Sequence, residues 1–384
     1  MLKKYFPFLE WISNYRSDYF KRDLLAGITV AVLLIPQGMA YALIAGLPPI
    51  YGLYAALTPQ MLYAFRGTSR QPAVGPVAMD SLLVAAGLSA LAIVEPSQYI
   101  QMAILLALLM GAIQLLLGLF RMGFIVSFLS KPVISGFTSA AAIIIGFSQL
   151  KHLLGIQLSQ SNQLHIVIES ILQSNVPVHF ATLIIGVLSA VLILVIKNWN
   201  RKIPSALIAV VLGISWVYFN GLDKQGVAVV GLIPQGLPSF QTPVFEIDTI
   251  KQLFPTALTL ALVAFMEAIS VAKAIEEKHK EYTVDPNQEL IALGSSNIVG
   301  SFFQSYPATG GFSRTAVNDQ AGAKTGMAAL ITALMVGLTL MFFTHWFYYL
   351  PKAVLASIII VAVVNLIDLK FAIRLYKKRK DEFA

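Results

Sequence analysis

Charge-free apolar runs that are long enough to cross a lipid bilayer recur along this chain. They include residues 102–120, 132–150, 203–222 and 325–344. A helix needs about 20 apolar residues to span the hydrocarbon core. The whole chain is 57% hydrophobic, whereas apolar residues make up roughly 45–50% of a soluble domain. The sequence therefore predicts an all-α polytopic membrane protein embedded in a lipid bilayer.

Hydropathy and the positions of Pro and Gly predict twelve membrane segments. The stretch 221–251, with its Pro and Gly content, is predicted to be an extended extracellular loop. Residues 1–23 mix aromatic and basic side chains and are predicted to be a cytoplasmic or interfacial segment. The segments are 24–43, 48–65, 76–91, 100–120, 125–149, 178–196, 203–220, 252–275, 287–302, 312–320, 325–347 and 351–367.

Basic residues cluster at three places, which accounts for much of the net charge of +8. If successive spans alternate in direction, all three clusters fall on one side of the membrane, which is the positive-inside pattern. Both termini are therefore predicted to be cytoplasmic, and the charge indicates topology instead of a nucleic-acid partner. The clusters are Lys3, Lys4, Arg16, Lys21 and Arg22; Lys197, Arg201 and Lys202; and Lys370, Arg374, Lys377, Lys378, Arg379 and Lys380.

The chain contains no cysteine, and its five histidines show no ligand-like spacing. Disulfides, thiolate metal sites and cysteine nucleophiles are therefore excluded. No metal or cofactor is predicted. An enzyme is not expected either, because no nucleophile, metal or cofactor motif accompanies the buried charges described below.

Two interruptions of the apolar pattern share a short motif. PAVGPVAMD at 72–80 and PATGGFSRT at 307–315 both contain P-A-x-G, and each opens an unusually short segment. Pro removes a backbone donor and Gly permits unusual backbone angles, so both favour a break in a helix. Paired broken segments in the two halves of a chain point to a transporter binding site. The motif pair predicts two half-helices with their N-termini directed at one site.

Arg314 lies in the second interruption, where a cation at membrane depth is costly enough to indicate a function. The backbone amides from Gly310 to Ser313, at a helix start, and the forked guanidinium together suit an anion. Ser313 and Arg314 are therefore candidate anion-binding residues. The alternative is that Arg314 forms a permanent structural ion pair with Glu267 or Asp80.

Four further polar residues lie within predicted spans. Glu267 either neutralises Arg314 or is a coupling site that holds a proton or a cation, since an intramembrane carboxylate is a functional candidate. Asp80 is a possible charge partner, with a structural or coupling role. Gln37 and Tyr41 share one helix face, and they either line a polar cavity or bond a neighbouring helix.

Three long stretches begin at Gly27, Asn287 and Leu350, and they read GITVAVLLIPQGMAYALIAGLPPIYGLYAALTPQMLYAFRGTSRQPAVGPVA, NQELIALGSSNIVGSFFQSYPATGGFSRTAVNDQAGAKTG and LPKAVLASIIIVAVVNLIDL. They resemble the sulfate permease (SulP) family of anion transporters and exchangers. The resemblance implies two inverted seven-segment repeats, with core and gate subdomains that move against each other. It implies a coupling role for Glu267. It also implies an anion site formed by Gln37, Tyr41, Val77, Ala78, Phe312, Ser313 and Arg314.

The chain departs from the family pattern in two ways. It stops at RLYKKRKDEFA, where family members continue into two more spans and usually a cytoplasmic regulatory (STAS) domain. We therefore expect one transmembrane transport domain over 1–384, with a first repeat at 24–220 and an incomplete second repeat at 252–384. Asp80 also stands where many members have an apolar residue.

The resulting hypothesis is secondary active transport of an inorganic oxyanion, sulfate, coupled to protons through Glu267. Protons are favoured over sodium because Val271, one turn further on, offers no side-chain oxygen to a hard cation. One alternative is bicarbonate or chloride transport by sodium symport or exchange. Another is a passive anion channel or a non-transporting scaffold. The resemblance further implies a homodimer, and the bacterial inner membrane is the expected location.

Overall fold

The computed structural model describes residues 6–13, 15–91, 95–124, 131–156, 178–200 and 203–364. The predicted segments 125–149 and 351–367 lie partly outside these residues. The basic cluster near the C-terminus lies entirely outside them.

Helices dominate the described residues, and each of the twelve predicted segments coincides with one of them, so the prediction of an all-α polytopic fold is confirmed. In chain order they are α1 (Phe8–Ser13), α2 (Ser17–Ile44), α3 (Pro49–Arg66), α4 (Ala78–Ser89), α5 (Pro96–Leu119), α6 (Lys131–Ser148), α7 (Leu150–Leu154), α8 (Phe180–Trp199), α9 (Ser205–Asn220), α10 (Ile247–His279), α11 (Pro286–Phe302), α12 (Phe312–Gln320), α13 (Met327–Leu338) and α14 (Lys352–Val364).

Five helical stretches within the described residues are long and apolar enough to cross a membrane. Four of them are α2, α5, α8 and α10. The fifth runs from α13 through a π-helical turn at Thr339–Phe343 and a 3-10 turn at Thr344–Phe347.

Two helices extend beyond the predicted spans, because hydropathy reports contact with lipid whereas a helix continues wherever its backbone hydrogen bonds continue. Helix α2 begins at Ser17, before the predicted span 24–43. Helix α10 covers Ile247–His279, whereas the predicted span was 252–275. The predicted loop 221–251 therefore ends inside a helix.

The short helix α1 packs on the protein through its aromatic side chains. Trp11 is 6% exposed, and the ring of Phe8 contacts that of Phe65 edge to face at 5.3 Å. The protein itself therefore covers Trp11, and the cytoplasmic or interfacial position of residues 1–23 stays a prediction.

The chain forms two compact units, and each draws on two separate stretches of sequence. The first comprises residues 1–124 and 234–345, and the second comprises 125–233 and 346–384. Helices α5 and α11 form an extensive contact within the first unit. Their backbones meet at Gly294, where an added Cβ would lie 2.5 Å from the backbone nitrogen of Leu115. In the second unit, Ser357 of α14 donates to the Gly186 carbonyl of α8 at 2.7 Å.

Two very short strands join the two interruptions. Strand β1 (Val74–Gly75) pairs antiparallel with β2 (Thr309–Gly310), so that Val74 faces Gly310 and Gly75 faces Thr309. The Gly311 amide extends the pairing by donating to the Ala73 carbonyl at 3.1 Å. We call this pair the ribbon. The helical prediction did not include it, although it joins the two P-A-x-G motifs.

Candidate functional site

The ribbon leads directly into the two half-helices α4 and α12. Val77 precedes α4 and Gly311 precedes α12, both with extended backbones. Neither residue caps its helix with a side chain. Because the first amides of a helix have no partner within the helix, an uncapped start leaves donors for water or a ligand. The predicted pair of half-helices is confirmed, and both starts belong to the first unit.

Arg314 crosses from α12 to the backbone in front of α4. Its side chain is buried, and its Nη1 donates to the Pro76 carbonyl at 2.9 Å. Its Nε and Nη2 atoms have no hydrogen-bond partner among the described residues. Buried donors of this kind are rare and call for a ligand, water or ion.

Gly311 provides the space for this guanidinium. A Cβ at Gly311 would lie 2.8 Å from both Cζ and Nη2 of Arg314, which is too close for a carbon contact. On the other strand of the ribbon, a Cβ at Gly75 would lie 3.5 Å from the same Nη2. The glycines of the two interruptions therefore flank the buried cation.

No ion pair joins Arg314 to Glu267 or Asp80 in the described part of the chain. The alternative of a permanent structural ion pair is therefore not found in this structure. Glu267 is near enough to interact with the Arg314 charge through space, and so are the hydroxyls of Tyr41 and Tyr306.

Glu267 lies on α10 beside the ribbon and is partly exposed. Thr309 of β2 donates to the Ala264 carbonyl at 2.8 Å, which fixes the ribbon one turn before Glu267. On the other side, a Cβ at Gly310 would lie 3.3 Å from the Ala268 Cβ. The carboxylate is thus held near the starts of both half-helices.

Asp80 lies in the first turn of α4 and is fully buried. Neither of its carboxylate oxygens has a hydrogen-bond partner among the described residues. Its electrostatic neighbour is Glu267. Asp80 is thus close to another acid, and no cation forms an ion pair with it in the residues that the structure describes.

Of the remaining predicted residues, four are buried and two are exposed. Val77 and Ala78, at the start of α4, are buried, as are Gln37 and Tyr41 on α2. The Oε1 atom of Gln37 has no partner within the described residues. Phe312 and Ser313 are exposed at the start of α12. Helix α2 packs against both half-helices.

Sequence reasoning missed two residues that support the ribbon. Tyr306 shares a hydrogen bond of 2.9 Å with Ser81 of α4. Asn297 of α11 bonds both backbone groups of Ala308, donating to its carbonyl and accepting from its amide at 2.9 Å each. Tyr306 directly precedes the second P-A-x-G motif, and this position could have identified it. Asn297 lies within α11, outside both P-A-x-G motifs, so no sequence signal identified it.

The loop that leads into the ribbon is held by Glu289 of α11. Its carboxylate accepts from the Tyr63 hydroxyl at 2.5 Å, from the Thr68 hydroxyl at 2.6 Å and from the Thr68 and Ser69 amides at 2.7 and 3.1 Å. Nearby, Tyr282 donates to Gln71 Oε1 at 2.5 Å. Burial raises the pKa of Tyr282, so its hydroxyl remains a donor at neutral pH.

The fold matches solved membrane transporters. The murine solute carrier 26 family member A9 anion transporter, in its inward-facing state, matches with a TM-score of 0.92 and 30% identity over 99% of this chain and 66% of that one. The transmembrane domain of the cyanobacterial bicarbonate transporter BicA matches with a TM-score of 0.85 over 96% and 94% of the two chains, at 23% identity. Half-helices that meet start to start within this architecture define an integral membrane protein of the inverted-repeat transporter fold.

The sequence comparison identifies the family. The chain belongs to the sulfate permease family, whose sequence model matches residues 20–384. A relative from Arabidopsis thaliana, "Sulfate transporter 4.1, chloroplastic", is 44% identical over 388 residues, which cover 99% of this chain and 56% of the relative. The chain thus spans just over half the length of that relative. Such proteins are transporters and not enzymes.

Proposed function

We propose that this chain is the membrane domain of a secondary active transporter that moves an inorganic oxyanion, sulfate, together with protons. The observation that carries this proposal is the meeting of two uncapped helix starts beside the buried charge of Arg314. The names of relatives such as the Arabidopsis sulfate transporter support sulfate as the substrate.

Positive charge is concentrated at the proposed anion site, and no acidic side chain forms an ion pair with it in the described residues. Each helix start carries roughly half a positive charge, and Arg314 adds a full one. The backbone amides of the first turns of α4 and α12, at Val77, Ala78, Phe312 and Ser313, would donate to the oxyanion. This arrangement binds an anion by charge and by hydrogen bonds at once.

Gln37 and Tyr41 would complete the site from α2. Both are buried on the helix that packs against α4 and α12. An amide and a phenol supply hydrogen-bond donors that carry no charge. They would orient the oxyanion by hydrogen bonds without adding a positive charge to the site, whereas Arg314 adds one.

Glu267 would couple proton binding to anion binding. When it is ionised, its negative charge offsets that of Arg314, with which it interacts through space. Protonation removes this offset and leaves the positive field of Arg314 to the anion. Binding free energies are reciprocal, so an anion at the site then favours the proton on Glu267. This reciprocity is what a symporter needs.

The organisation expected from the sequence belongs to the same proposal. The first repeat would comprise residues 24–220 and the second would begin at 252, with an extracellular loop between them. The basic residues around Lys21 and Arg22 support a cytoplasmic N-terminus. A homodimer in a bacterial inner membrane would be the assembled form.

Uptake of labelled sulfate into proteoliposomes tests this proposal. We expect saturable uptake by this chain that increases with an inward proton gradient. A response to sodium and not to protons, or saturable uptake of bicarbonate or chloride but not sulfate, would favour the corresponding alternative. Conductance that does not saturate would indicate a channel. Absence of both sulfate binding and uptake would leave a membrane scaffold.

A further inference from the structure

Asp80 is a buried acid that the proposed anion site does not use. It is 0% exposed, and neither carboxylate oxygen has a hydrogen-bond partner among the described residues. Moving an ionised carboxylate into such surroundings is strongly unfavourable, and real proteins neutralise the group instead. The surroundings of Asp80 therefore decide whether a cation or a proton neutralises it.

The charged group that interacts with Asp80 lies on helix α10, which packs against α4. It is Glu267, an acid that interacts electrostatically with Asp80. Tyr306, in the segment before the ribbon, also interacts with Asp80. Its hydroxyl is engaged with Ser81 at 2.9 Å. Neither neighbour supplies positive charge.

The other helices that pack against α4, namely α2 and α5, also bring no positive charge to Asp80. The charged residues of α2 lie near its start, and Tyr41 further along interacts with Arg314 and Glu267. Helix α5 has one titratable residue, Tyr99, which donates to the Ala45 carbonyl at 2.8 Å.

Neither Arg314 nor the start of helix α4 stabilises an ionised Asp80. Arg314 directs its paired nitrogen to the Pro76 carbonyl and forms no ion pair with Asp80 within the described residues. The first turn of a helix favours negative charge, but this effect is strongest when the carboxylate accepts backbone amides. The oxygens of Asp80 accept none in the described structure.

We propose that Asp80 is a proton-binding residue, protonated at neutral pH, and that Asp80 and Glu267 form a pair in which at most one carboxyl is ionised. Two acids that interact closely behave in this way because their charges repel. Glu267 is partly exposed whereas Asp80 is not, so protons reach Asp80 by way of Glu267. The proton passes from water to the Glu267 carboxylate and from there to Asp80.

This inference rests on the coupling role proposed for Glu267 and extends it to a second proton. A negative charge on Asp80, in the first turn of α4, would oppose an anion at that helix start. A protonated Asp80 removes this repulsion. Proton occupancy of the pair thus controls the field at the anion site.

Infrared spectroscopy of the purified protein in lipid vesicles tests the inference without transport. A protonated carboxylic acid has a carbonyl stretch that is distinct from that of a carboxylate and that shifts in heavy water. Protein labelled with ¹³C-aspartate should show this band at pH 7. We expect D80N to lack the band. We expect D319N to retain it, because Asp319 is bonded to Lys278 and His279 and is therefore ionised.

The labelled, unmutated protein gives a result even where D80N fails to fold. Absence of an aspartic-acid band at pH 7 overturns the inference, and so does a band that appears only when sodium is withdrawn. The pH at which the band disappears should move in E267Q, and an unchanged pH overturns the pairing. A band at Asp80 without sulfate uptake would count against the proposed function alone. Uptake without the band would count against this inference alone.

Discussion

Arg314 donates a hydrogen bond of 2.9 Å to the carbonyl of Pro76, a residue from the other interruption of the sequence. One nitrogen thus ties the half-helix α12 to the backbone in front of α4. The remaining guanidinium nitrogens, Nε and Nη2, have no partner in the described residues. Arg314 therefore has two separable roles, one mechanical and one electrostatic, which substitutions can distinguish.

The first prediction concerns the shape of the cation. Arg314→Lys keeps the charge but offers a single nitrogen, which cannot hold Pro76 and also present a fork of donors. We expect sulfate affinity to fall by about tenfold or more, which corresponds to about 1.4 kcal/mol. Sulfate binding by calorimetry measures this. Arg22→Lys, in an exposed pair with Asp18, is the matched control. Equal sulfate affinity in both variants would show that the guanidinium fork of Arg314 does not contribute to sulfate binding.

The second prediction concerns the space beside the cation. Gly311→Ala introduces a Cβ within 2.8 Å of the guanidinium, so Arg314 must move away from its position. We expect a loss of sulfate affinity of about tenfold, which corresponds to about 1.4 kcal/mol, because the displaced guanidinium no longer presents its free nitrogens at the same place. Gly146→Ala is the control, because no atom lies within 4 Å of its added Cβ. Normal sulfate binding by Gly311→Ala would mean that the guanidinium position is unimportant.

The third prediction concerns coupling. Glu267→Gln removes the group that takes up a proton while it keeps the side-chain size. We expect sulfate uptake to lose its response to a proton gradient, because the offset of the Arg314 charge no longer varies with pH. Uptake measured with and without the gradient checks this. Glu277→Gln, an exposed position on the same helix, should respond as the unmodified chain does. A full proton response in Glu267→Gln would mean that another residue couples sulfate uptake to protons.

The fourth prediction concerns stability. Glu289 accepts four hydrogen bonds from Tyr63, Thr68 and Ser69. Glu289→Gln replaces one acceptor oxygen by a donor, which leaves buried donors unpaired at about 1–3 kcal/mol each. We expect a clear fall in melting temperature. Asp248→Asn, in an exposed ion pair with Lys251, should change stability by less than about 1 kcal/mol. Equal melting temperatures would show that the Glu289 contacts do not stabilise the fold.

The sequence was sufficient for the helices and for the position of their two breaks. Apolar runs identified the long helices of the described residues, and P-A-x-G identified both interruptions, because these signals are local. The ends of α2 and α10 were less predictable, since charged residues leave the lipid without ending the helix. Hydropathy marks where the chain leaves the lipid and does not mark where the helix ends.

The environment of each charged residue was not predictable. An ion pair of Arg314 with Glu267 or Asp80 was one of the alternatives, yet neither Arg314 nor Asp80 forms an ion pair in the described residues. Glu267 is partly exposed whereas Asp80 is buried. These differences depend on how distant segments pack, which one sequence does not encode locally. The ribbon was missed for the same reason.

The ribbon also has a consequence for how the protein is made. Strand β1 emerges from the ribosome and enters the membrane well before Thr309 and Gly310 are synthesised. Until they arrive, the backbone groups of Val74 and Gly75 lack their partners at a depth where water is scarce. We therefore expect the first interruption to acquire its backbone partners only after the second has been synthesised. Pairing of the two interruptions is a late event in biogenesis, even though the first of them is translated early.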